Sequence, residues 1–190
     1  IQMAGYGTAA NPASLGCKLS GKFGSSGTAF SVPLAPVVIT NGADGAPDTL
    51  AVLQARPRSI AVPMQIKEDH PQTATAFVVD SSVGIAANDL MVAIPPLFTD
   101  YSSSQCSLFQ VTSDTSDPLI TLSNTRIPHT SASSWNQSTV QPSAGFPNKS
   151  YLVNMGVPSL KTYAISNSFN LTLTERSWTT GTQTTQDLFH

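Results

Sequence analysis

The side chains able to do chemistry in this 190-residue chain are few and scattered. Hydrolysis by a serine or cysteine nucleophile needs a residue on a sharp turn and a histidine held by a carboxylate. No GxSxG stretch occurs, and His70, His129 and His190 lie in Pro-flanked segments or at the terminus. Glu68-Asp69-His70 has the composition of a metal cluster, but neighbouring residues on an extended chain point in alternating directions. We read it as a solvated turn before Pro71. Asp80, Asp114 and Asp117 lack the oxygen-rich spacing of a calcium loop. Gly21, Gly24 and Gly27 recur every third residue without the GK[ST] or strand-to-helix setting of a phosphate loop. Trp135, Trp178, Tyr101 and Phe146 have rings that stack on sugars, although packing explains aromatic residues more often. NxS/T matches at Asn136, Asn148 and Asn170 are expected by chance in so Ser/Thr-rich a chain. The residues therefore point to no catalytic site, no cofactor and no metal.

Cys17 and Cys106 lack the CxxC spacing of a redox or zinc site. In an oxidising compartment the economical reading is one disulfide, closing a loop worth on the order of 4 kcal/mol. Two buried free thiols are the alternative.

The elements that must position these residues follow from composition. Only 11% of residues are charged and the net charge is −2, while about a quarter of the chain is Ser or Thr. The basic residues are dispersed, which excludes the concentrated positive face of a nucleic-acid binder. No apolar run approaches the roughly 20 residues that span a bilayer. Short β-branched runs bounded by turn formers predict strands over 36–40, 49–55, 74–79, 90–94, 107–112, 119–122, 151–155, 162–166 and 170–174. Asn170 to Thr174 alternates polar and apolar strictly, and Asn167-Ser168 predicts a tight hairpin before it. Residues 1–10 read as the last turn of a helix stopped by glycine, residues 11–31 as a surface loop pinned by Cys17, and residues 125–149 as a long loop. The expected fold is a single, mainly β domain over 1–190, with antiparallel sheets of many short strands and at most a helix remnant at 1–10.

Several of these segments, taken in order, resemble the PilW family of type IV pilus assembly proteins. Ile1-Gln2-Met3-Ala4-Gly5-Tyr6-Gly7 is similar to the end of a long pilin helix. Asn41 to Val52 is similar to a "GxxGxxDxLxV" stretch, and Asn88-Asp89-Leu90-Met91-Val92 with Cys106 to Thr112 resembles the "GDLxLV … CxLFQVT" pair. Tyr151 to Gly156 with Thr162-Tyr163-Ala164-Ile165 resembles "LxNLGxxxxxTYxV". Where the family tends to have glycine before Asp-Leu this chain has Asn88, which also tolerates left-handed backbone.

The resemblance implies the head of a structural minor pilin, α+β when intact, with a β elaboration over 74–122 and the 125–149 loop as an exposed contact surface. Such proteins are similar to pseudopilin J of type II secretion. The implied partners are other minor pilins and the major pilin, with the inner membrane reached through an apolar N-terminal helix absent from this chain. The implied location is the bacterial cell surface, after a stage in the inner membrane and periplasm. The family's sequence also runs on past the equivalent of Asp187 to His190, so a last strand is expected to be missing. The rival expectations are an adhesin-like glycan-binding head, a type II secretion pseudopilin and a secreted hydrolase.

Overall fold

Short β-branched runs between turn residues fold as strands wherever they find a neighbour to pair with. The computed structural model describes residues 15–56, 63–96, 105–113 and 122–189. The expected helix end at 1–10, Tyr101, Asp114, Asp117, His190 and most of the 119–122 strand lie outside them.

The strands are β1 (Lys18–Gly21), β2 (Phe30–Pro33), β3 (Val37–Thr40), β4 (Thr49–Gln54), β5 (Met64–Gln65), β6 (Ala76–Val78), β7 (Leu90–Ile94), β8 (Gln105–Gln110), β9 (Arg126–Pro128), β10 (Tyr151–Gly156), β11 (Ser159–Ile165), β12 (Leu171–Arg176) and β13 (Gln183–Phe189). One 3-10 turn, Ser138–Val140, is the only helical element among the described residues. The fold is mainly β, as expected.

Three sheets result: a six-stranded one in the order β2-β1-β8-β7-β10-β5, a five-stranded one in the order β13-β12-β11-β4-β3, and the small pair β6-β9. Every pairing of named strands is antiparallel except β1 with β8, which runs parallel.

The inner strands β8, β7 and β10 of the six-stranded sheet are buried on both faces. Along β7, Leu90, Val92 and Ile94 enter one core with Leu108, Val153 and Met155, while Met91 and Ala93 enter a second with Phe109 and Leu152. Period-two alternation divides these side chains between the faces. All five residues of β7 are buried, which explains why the run is continuously apolar. The second core is closed by Phe77 of β6, Ile127 of β9 and Phe146. Asn88, at φ 72°, supplies the left-handed step into β7 that the sequence suggested.

Four expectations change. The 11–31 segment is not only surface loop, because β1 and β2 join the large sheet and Leu19, Ser20 and Cys17 are buried. The 74–122 segment, expected as a β elaboration, supplies β7 and β8, which are inner strands of that sheet. The 125–149 loop begins with β9 and is only partly exposed: Ile127, His129, Trp135, Val140 and Phe146 are buried, whereas Ser131, Ala132, Ser143, Ala144 and 147–149 face solvent. Residues 183–189, where no strand was expected, form β13.

Side-chain amides explain how so polar a loop packs inward. The Gln110 backbone N–H donates to Asn136 Oδ1 at 2.7 Å, and Asn136 Nδ2 donates back to the Gln110 carbonyl at 2.9 Å. Asn136 thus supplies the two bonds a neighbouring strand would make. Ser133 Oγ reaches Gln110 Oε1 at 2.6 Å, and Ser107 Oγ donates to the Val140 carbonyl at 2.8 Å.

Candidate functional site

The two cysteines come together. Cys17 precedes β1 and Cys106 sits in β8; the parallel pairing of these strands holds their Cα atoms 6.0 Å apart, and a disulfide joins them. Both are fully buried in the first core. The bond staples the N-terminal edge of the described chain to the middle of the large sheet.

Histidines 59 positions apart in sequence also meet, which spacing gave no sign of. His70 Nε2 and His129 Nε2 lie 2.8 Å apart, so one ring N–H donates to the bare nitrogen of the other. Phe77 stacks against both rings, at 3.7 and 4.7 Å between centroids. His70 is buried, which corrects the reading of residues 68–70 as a solvated turn. Glu68 and Asp69 do remain outside, and Asp69 Oδ1 accepts the Asn148 backbone N–H at 2.8 Å. Burial pushes His70 down to about 4, and burial together with the neighbouring His70 pushes His129 down to about 3. The pair is neutral and walled by phenylalanines, and meets no nucleophile and no carboxylate among its described contacts.

Trp135 and Phe146 are core residues. Phe23, Phe30 and Trp178 ring Trp135, whose Nε1 donates to the Trp178 carbonyl at 2.8 Å. Among the described residues no group of three or more His, Cys, Asp or Glu is placed to hold a metal ion. No helix among them is long and apolar enough to cross a membrane.

The feature that stands out is a face of the five-stranded sheet. Strand register lines Val37, Val52, Lys161 and Glu175 in one row, Ile39, Leu50, Tyr163 and Leu173 in the next, and Ile165 with Leu171 in a third. Alternation puts these rows on one side. The other side carries Leu53 and Leu160 into the first core. On the apolar side only Leu173 is buried; Ile39 is 65% exposed and Ile165 39%. A shallow groove of about 370 Å³ runs over Ile39, Leu50, Tyr163, Ile165 and Leu171. Its one ion pair, Lys161 with Glu175 at 3.1 Å, lies at the margin. Contiguous exposed apolar surface of this kind is uncommon on a monomer. The sequence showed the strands but not that this side stays open.

No family model, no curated protein and no solved structure matches the chain.

Proposed function

We propose that this chain is the head of a minor pilin of the PilW kind, a structural subunit that helps assemble a type IV pilus through contacts with other pilins. The observation that carries the reading is the open apolar face over Ile39, Leu50, Tyr163 and Ile165. An apolar sheet face about five strands wide is the surface on which a long apolar helix packs. The family resemblance implies a long apolar pilin helix as the expected occupant. The disulfide supports work outside the cytosol, where such bonds persist. On this reading the head sits at the bacterial surface after a stage in the inner membrane and periplasm. It touches other minor pilins and the major pilin and transforms no substrate.

The test is made in the source bacterium. Deleting the gene abolishes or sharply reduces surface pili, and the wild-type gene restores them. The double variant Ile39→Asp, Ile165→Asp is exported and oxidised but does not restore them. Normal piliation in the deletion strain overturns the proposal. Lost protein secretion with intact pili would assign the chain to a secretion pseudopilus instead, and normal pili with lost surface attachment to an adhesin.

A further inference from the structure

A second cleft, separate from the apolar face, runs between β2 of the large sheet and the β12–β13 hairpin of the other. Its volume is about 660 Å³, within the range of small-ligand sites. Phe23, Phe30 and Leu160 line it on the apolar side, and Thr162 and Thr182 are among its hydroxyl-bearing residues. Gly181 closes one end against Phe23, at φ +71°, where an added Cβ would lie 2.3 Å from that side chain.

The charge of this cleft is unbalanced. Arg176 is the one cation in its lining, and no carboxylate lines it among the described residues. The neighbouring Glu175 points to the opposite face of the sheet, paired with Lys161. Arg176 lies over the Phe30 ring at 4.1 Å, and its Nη1 donates to the Gly181 carbonyl at 3.0 Å. Nε is buried without an acceptor. Half-burial of an unpaired guanidinium disfavours its charged form, and its pKa is lowered accordingly. An anion arriving in the cleft would restore that balance.

The lining narrows the anion. A phosphate dianion is recognised by several cations or by a fan of backbone N–H groups, whereas a single guanidinium suits one carboxylate. Several hydroxyls around it match a partner that is itself rich in hydroxyls. Rings beside them match the C–H face of a pyranose. We propose that this cleft binds an acidic saccharide, its carboxylate on Arg176, its hydroxyls on the Thr162 and Thr182 side chains, and its ring against Phe23 and Phe30. The site does not depend on the pilin reading, since it occupies a different surface.

The experiment is an NMR titration of the oxidised, isotope-labelled chain with galacturonic acid and N-acetylneuraminic acid. Galactose, methyl galacturonate and acetate serve as comparators. The acidic sugars are expected to shift amides of 28–31 and 180–183 saturably, at least tenfold more tightly than galactose or the methyl ester. Arg176→Met is expected to abolish the shifts, Arg176→Lys to keep part of the affinity, and Thr162→Val to weaken it several-fold. Equal binding of acid and ester removes the role of Arg176 and overturns the proposal. So does acetate matching the sugars, which would reduce the cleft to a simple anion site, and so does the absence of saturable shifts with the wild-type chain.

Discussion

The two large sheets are built from similar strands and used in opposite ways. The six-stranded sheet buries β7, most of β8 and most of β10 between two cores and is stapled by Cys17–Cys106. The five-stranded sheet sends Leu53 and Leu160 inward but leaves a row of valine, isoleucine, leucine and tyrosine facing out. Runs of equal apolarity therefore do different work depending on whether a layer covers them. One sheet holds the molecule together; the other presents it.

The comparison breaks first at the staple. Cys17→Ser with Cys106→Ser is expected to lower unfolding stability by about 4 kcal/mol, as for a closed loop of this length, read by denaturant titration of the oxidised and mutant chains. A loss below about 1 kcal/mol would mean that the large sheet does not depend on its tie to β1.

The second core should carry the acid sensitivity of the molecule. Unfolded histidine titrates near 6.5, and burial depresses His70 and His129 to about 4 and about 3. Between those values the unfolded chain binds protons that the folded chain refuses. Stability is complete well above pH 6.5 and falls as the pH drops towards 4, with a loss of roughly 4 kcal/mol between pH 7 and pH 5 for the pair. Thermal melts across that range check the slope. His129→Phe is expected to flatten it by about half or more, because it removes one titrating group and the partner that His70 bonds.

A smaller effect is expected where a side chain substitutes for a strand. Asn136→Ala removes both bonds to the Gln110 backbone and the bond to the Thr130 carbonyl. The cost is about 1–3 kcal/mol, set by leaving part-buried polar groups without partners. Faster hydrogen exchange at the Gln110 amide would localise it.

Legibility in the sequence followed the same division. Residues 37–40, 49–54, 90–94, 151–156 and 171–176 were readable as strands because β-branched or alternating runs sit between turn formers. Lys18–Gly21 and Phe30–Pro33 were not, since strands this short and Gly/Ser-rich are fixed by the neighbour they pair with. Residues 183–189 pair only through β12 and are polar and mostly exposed, so no apolar signal marked them. The 125–149 loop read as exposed because Ser, Asn and Gln count as polar in any tally, whereas here they make the bonds of an interior. The cysteine pair could be anticipated from compartment logic; the histidine pair could not, being joined only by tertiary packing. The open side of the five-stranded sheet was equally hidden, because a strand apolar on both sides does not say which side is covered.

That last point gives the smallest and most discriminating prediction. Ile39 lies on β3, 65% exposed, with Leu50 opposite and Tyr163 beyond it. Replacing it with threonine keeps the β-branched shape and strand preference and changes only the polarity of the surface. If the face is open, the isolated chain should unfold within about 0.5 kcal/mol of wild type, as substitutions at exposed positions do. Leu53→Ala, on the covered side of the adjoining strand, should cost about 2–4 kcal/mol. A matching loss at Ile39 would mean that the face is already covered within the chain. It would then have nothing left to offer a partner, and the contrast between the two sheets would disappear. A near-zero change in the isolated chain, together with failure of the polar variants to assemble, is the pattern of a surface kept apolar for another subunit.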